Sequence, residues 1–154
     1  MSYRREIREV VLQALYAEEV GKDDWAHILS NIIKEKLKER REDYKFAERL
    51  FLKTLRNQNV LDEIIQNHIR NWRIERLNII DKIVLRMALC EFLYFEEIPI
   101  KVTINEAIEI ARKFSTSKSS KFVNGILDAA LGRLLKENKI EKKGRGLIES
   151  SINN

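Results

Sequence analysis

Residues 79–95 read IIDKIVLRMALCEFLYF, and this stretch decides the fold. Its apolar side chains, from Ile79, Ile80, Ile83, Val84 and Leu85 through Met87, Ala88 and Leu89 to Phe92 and Leu93, spread over a wide arc of a helical wheel. An arc that wide needs neighbours on several sides, so the segment predicts a central helical post. Charges interrupt it before it reaches the ~18 uninterrupted apolar residues of a membrane span.

Outward from this post, apolar residues recur with helical spacing and no segment alternates like a strand. Upstream, a helix is expected from about Arg4 to Val20, with Ile7, Val10, Val11, Ala14 and Leu15 on its buried face and Gly21 as its stop. Asp23 or Asp24 can cap a second helix carrying Ile28, Leu29, Ile32, Ile33 and Leu37. Two more follow, about 44–55 and 60–69, and NWRIERLN (71–78) reads as a joint between two halves. Downstream, Pro99 marks a loop. Thr103-Ile104-Asn105-Glu106 has the form of a capping box opening a helix to about Phe114. STSKSSK (115–121) reads as a turn into a last helix from about Lys121 to Glu137. The expected fold is all-α, about seven helices in two halves, 1–70 and 75–138. Residues 139–154, mixed in charge with two glycines, read as a mobile tail.

The chain has 154 residues, 44% of them hydrophobic and 34% charged, enough apolar matter for a core and too much for disorder. With 29 Lys and Arg against 24 Asp and Glu, the net charge is +5. That is compatible with an anionic partner only where the cations cluster. Cys90 stands alone, so no intrachain disulfide forms, and His27 and His68 lack metal-ligand spacing. No metal or cofactor is expected. The opening MSYRREIREV lacks the apolar run of a signal peptide, which sets the expectation of a reducing cytoplasm. No phosphate-cradling GxxxxGK[ST] loop, GxSxG elbow or HExxH pair occurs. Cys90 lies in an apolar run and reads as an inert buried thiol, and Glu96-Glu97 as solvated carboxylates. A binder is expected, not an enzyme.

Two places gather cations around rings. On the first helix, Arg5, Arg8 and Tyr16 share one flank and Arg4 lies at its edge. Arginine offers phosphate a planar fork and tyrosine offers a base a stacking face. The plainer reading makes these arginines ordinary surface charges and Tyr16 a core edge. On the last helix, Phe122 projects outside the apolar arc, and Lys118 falls about 40° away on the same flank. A ring there beside Lys118 and Lys121 suits base stacking, or is covered by a neighbouring helix. Gly125, Ala129 and Gly132 form a small-residue strip that would admit another backbone closely.

Several strings together resemble the NusB family of bacterial transcription factors. They are Arg4-Arg5 and Arg8 followed by LQALY (12–16), IP (98–99) with VTINEAIEIA (102–111), SSKFVNGILD (119–128), and KIVLRMALCE (82–91). The resemblance spans about residues 4–138 and implies two packed three-helix bundles sharing a central helix. It implies a transcription antitermination factor that pairs with NusE, a small-subunit ribosomal protein, binds single-stranded boxA RNA of nascent ribosomal transcripts, and joins an RNA polymerase complex. The RNA contacts it implies fall on Arg4, Arg5, Arg8, Tyr16 and Phe122, with Lys118, Ser119 and Lys121 beside the last ring. The NusE contact it implies falls on Asp81, with Lys82 and Arg86 in the same string. Lys118 stands where the resemblance leads one to expect an acid, which predicts stronger and more salt-dependent attraction to phosphate. Two other readings are a protein-binding adaptor or homodimer with a masked RNA face, and a stand-alone relative of the RNA-binding module of ribosomal RNA cytosine methyltransferases.

Overall fold

The computed structural model describes residues 2–147, and of Ser2 and Tyr3 only the backbone. Among them are seven helices, two short 3₁₀ turns (Ile74–Arg76 and Gly144–Leu147) and no strand. The helices are α1 (Ser2–Gly21), α2 (residues 25–37), α3 (Arg41–Arg56), α4 (Gln58–Gln66), α5 (Ile79–Tyr94), α6 (Ile100–Phe114) and α7 (Ser117–Lys136). The all-α expectation holds.

The chain forms two compact units, the first ending at Arg56 and the second beginning at Asn57. The joint read at 71–78 therefore lies inside the second unit, because α4 packs on α5 and α7. In the first unit α1 packs against α3 and the middle of α2, burying Ile7, Val11, Leu15, Ile33, Leu50 and Phe51. α2 is α-helical over Trp25–Ile28, π-helical over Leu29–Lys34 and α-helical again over Glu35–Leu37. The i→i+5 bonding of the π turns carries the buried positions from Ile28 to Ile33 and on to Leu37, leaving Leu29 and Ile32 half-buried. Gly21 remains helical, and the left-handed residue that ends α1 is Lys22 (φ 54°), whose N–H donates to the Glu18 carbonyl at 3.0 Å.

In the second unit every residue from Ile83 to Phe92 is buried, and α5 packs on α4, α6 and α7. The central post is there as read. Its three buried charges sit five residues apart, which is about 140° on the wheel, and each meets a different helix. Asp81 accepts from Ser119 Oγ of α7 at 2.9 Å. Arg86 forks onto Asp62 of α4 at 2.6 and 2.9 Å. Glu91 accepts from Thr103 Oγ1 of α6 at 2.7 Å. Asn78 caps the helix, accepting from the N–H groups of Ile80 and Asp81.

One expectation is corrected here, and the described part of the C-terminal segment is hydrogen-bonded to the fold. Thr103 does not cap α6: that helix opens at Ile100 after Pro99, whose carbonyl accepts from the Val102 and Thr103 N–H groups, and the Thr103 hydroxyl is spent on Glu91. The chain beyond Asn138, read as mobile, is docked as far as it is described. Asn138 takes a left-handed φ of 56° and the Lys139 N–H reaches back to the Leu134 carbonyl at 2.9 Å, stopping α7. Lys142 Nζ then donates to the carbonyls of Glu91 and Phe95 at 3.0 and 2.8 Å, and the Lys143 N–H donates to that of Glu96. Lysine thus satisfies the open carbonyl end of α5. The remaining tail, 148–154, lies outside the described residues.

Gly146 is buried, and a Cβ there would collide with the Glu96 carbonyl oxygen. Gly146→Ala is expected to release this strap, so limited trypsin digestion cuts after Lys142 and Lys143 sooner than in the parent, with the helical circular dichroism unchanged. Thr103→Val, nearly the same shape, is expected to cost about 1–3 kcal/mol in urea denaturation by withdrawing a donor from buried Glu91.

Candidate nucleic-acid interface

In the first unit the arginine-rich start of α1 is organised by a residue the sequence did not flag. The Arg4 guanidinium lies 3.9 Å from the centroid of the Phe46 ring of α3, and that of Arg8 lies 5.5 Å from it. A ring face attracts such cations. Arg4 is exposed, Arg5 half-buried, and Arg8 only 4% exposed. Arg8 thus lies in the α1–α3 packing and not at the open surface where the wheel placed it. Tyr16 is 41% exposed, so the ring is not sealed into the core. Gln13, one turn before it, accepts from Lys36 of α2.

In the second unit α7 begins four residues before the expected Lys121, because Thr116 caps it: its hydroxyl accepts from the Ser119 N–H at 3.0 Å. Thr116, three residues ahead of Ser119 in a run of hydroxyls, was a legible capping signal. Lys118 and Lys121 therefore sit on the first turns of a long helix, both exposed, with Phe122 half-buried beside them. No acid occupies the first turn of α7. The positive end of the helix and two lysines add up to an anion-attracting surface with a ring at its edge. Ser119 points inward: it is buried, bonded to Asp81 and within 2.8 Å of Ser115 Oγ. The small-residue strip is exposed, and nothing lies within 4 Å of a Cβ built at Gly125 or Gly132. No described backbone approaches there.

The residues read as a partner contact are differently placed. Asp81 is 6% and Arg86 5% exposed, each committed to a neighbouring helix, and only Lys82 reaches solvent in part. Asp62, the fork partner of Arg86, was missed because nothing local in sequence links them. Burial raises the Asp81 carboxyl above its ordinary value, against the hydrogen bonds of Ser119 and Ser115, which lower it. Its Oδ1 is buried without a hydrogen bond. His68 donates from Nδ1 to the Ile64 carbonyl, and His27 lies 3.1 Å from Asp23. Among the described residues no group of His, Cys, Asp and Glu is placed to hold a metal ion, and no helix is long and apolar enough to cross a membrane.

Residues 5–132 match the sequence profile described as the NusB family. A transcription antitermination protein NusB of Salinibacter ruber is 46% identical, over 96% of this chain and 92% of that protein. One from Thermodesulfovibrio yellowstonii is 40% identical, over 91% of this chain and 99% of its own length. Among solved structures, T. maritima NusB superimposes with a TM-score of 0.77 at 38% identity, covering 82% of this chain and 89% of that one. A chain from a crystal structure of the antitermination factors NusB and NusE with double-stranded RNA shares the fold, with a TM-score of 0.79 at 23% identity over 86% and 98% of the two chains.

The raised Asp81 carboxyl has a consequence for pH. A folded-state value above the unfolded one adds stability at acid pH that is lost as pH rises through the folded value. At neutral pH the buried charge is a cost, and Asp81→Asn removes it while keeping an acceptor for Ser119. The variant is expected to gain stability relative to the parent between about pH 3 and pH 7. Urea denaturation at the two pH values checks this; a constant difference would count against the burial effect.

Proposed function

This chain belongs to the NusB family, and we propose that it acts as a transcription antitermination factor that binds single-stranded RNA and pairs with the ribosomal protein NusE. Support comes first from the curated relatives of that name, which match over nearly their whole length. The site reading rests on one observation: Lys118, Lys121 and Phe122 stand together on the positive N-terminal turns of α7, with no acid among them.

Phosphates are held by Lys118 and Lys121 at the helix end, and in the other unit by Arg5 and Arg4. Stacking on Phe46 leaves the edge of the Arg4 guanidinium as a donor face. Unpaired bases stack on Phe122 and on Tyr16. Arg8 positions Arg4 through their shared ring, and Ser119 positions the start of α7 through Asp81; neither touches RNA. A base stack is worth about 1–3 kcal/mol, and a few lysine–phosphate contacts add salt-sensitive attraction. So few contacts hold RNA weakly, which is the reason a second RNA-binding protein belongs to the working unit. NusE docks at the N-terminal end of α5, where Lys82 offers the accessible charge. The pair engages boxA RNA of ribosomal transcripts in the bacterial cytoplasm and joins RNA polymerase. The factor works by binding, with no catalytic step and no cofactor.

Anisotropy of a labelled boxA oligoribonucleotide, with and without NusE and at two salt concentrations, tests this. Tyr16→Ala and Phe122→Ala are each expected to weaken binding about 5- to 150-fold with unchanged helical circular dichroism. Lys118→Glu should flatten the dependence of log affinity on log salt by about 0.7. RNA that fails to bind even with NusE present would support the adaptor reading instead.

A further inference from the structure

The joint between α4 and α5 takes no part in the surfaces above. Residues 70–76 read RNWRIER, and Trp72 is 59% exposed, more than any other large apolar side chain among the described residues. Large rings carry much apolar area and are usually covered, so one left in water is informative. This one is displayed on a fixed backbone. Asn71 takes a left-handed φ of 64°. The Gln66 side chain of α4 donates to the Trp72 carbonyl at 3.0 Å and accepts from the Ile74 N–H at 2.8 Å, gripping the chain on both sides of Arg73. Ile74 is buried and opens a single 3₁₀ turn to Arg76.

Arg70, Arg73 and Arg76 surround the ring in sequence, and all three are exposed. Arg73 lies 3.3 Å from Glu75, a pair open to solvent on both sides and so weak. Glu75 is held below its ordinary value first by a backbone hydrogen bond and then by Arg73. The loop still carries an excess of two positive charges. It belongs to the same unit as the α7 surface. Asn78, the cap of α5, is six chain steps on from Trp72, at most roughly 20 Å of chain. The first turns of α5 and α7 are tied together by Asp81 and Ser119.

We propose that Trp72, flanked by Arg70, Arg73 and Arg76, is a second stacking platform for the RNA strand, taking unpaired nucleotides beyond those at Phe122. The inference rests on the RNA-binding reading and extends it. An indole among guanidinium groups suits bases and phosphates together. It is poorly suited to a lipid surface, since the loop's other apolar side chain, Ile74, is turned into the core.

The chain has two tryptophans, Trp25 and Trp72, so Trp25→Phe leaves Trp72 as the only indole reporter. The full chain in this background is titrated with a labelled boxA oligoribonucleotide of about 12 nucleotides at low salt, following indole emission and RNA anisotropy together. The two signals are expected to saturate in step. Trp72→Ala should weaken binding about 5- to 150-fold, Trp72→Tyr should restore most of it, and Arg70→Gln with Arg76→Gln should flatten the salt slope by about 1.4. RNA that binds Trp72→Ala with parental affinity, and that leaves the Trp72 emission of the Trp25→Phe chain unchanged, overturns the platform and leaves the Phe122 site standing. A Trp72 signal that answers to NusE and not to RNA overturns it in favour of protein docking. Absence of any RNA binding overturns both readings.

Discussion

A helix buried along most of its length allows no unpartnered charge, and α5 carries three. An ionised group withdrawn from water costs several kcal/mol unless hydrogen bonds replace its hydration. Arg86 and Glu91 meet that demand through Asp62 and Thr103, and Asp81 meets it in part through Ser119, its other oxygen being buried without a hydrogen bond. Because the spacing of five residues turns each charge about 140° from the last, the three bonds pin α7, α4 and α6 around one axis. Apolar packing alone tolerates sliding between helices; directional bonds in a low-dielectric interior do not. The strap from Lys139 to Leu147 closes the far end of the same helix, with Lys142 on its open carbonyls.

The candidate surface depends on this arrangement at one remove. Ser119 and Thr116 hold the first turn of α7 in place, and that turn carries Lys118 and Lys121 outward. The inward hydroxyls and the outward ammonium groups are one device, since a helix end fixed on its buried side presents its positive pole steadily on the other. In the first unit Phe46 does the equivalent for the start of α1, gathering Arg4 and Arg8 on one ring. Arg8 disappears into the packing there and Arg4 stays at the surface.

The departures from the sequence reading share a cause. Thr103 and Glu106 have the spacing of a capping box, but the Pro99 carbonyl closes the first turn earlier, and a threonine inside the helix is drawn to a carboxylate on another helix. Lys121 read as the start of α7 because the preceding hydroxyls and lysines look like a turn; Thr116 converts them into a helix by capping it. Charge and glycine made residues 139–147 look loose, while Gly146 is there because only a hydrogen fits against Glu96. Local rules compete in each case, and distant atoms decide which one prevails.

Helical periodicity, the breadth of the apolar arc in 79–95 and the ring-and-cation clusters near Tyr16 and Phe122 are properties of side-chain order along the chain, and a wheel suffices to see them. The all-α class, the central post and the placing of Tyr16, Lys118 and Lys121 outside the core were therefore legible in the sequence alone. Which charges face water was not. Arg8, Asp81 and Arg86 are ordinary surface residues by type, and they are buried only because Phe46, Ser119 and Asp62 arrive opposite them from other helices. Burial of a charge depends on what lies across the gap, and that is fixed when the helices pack.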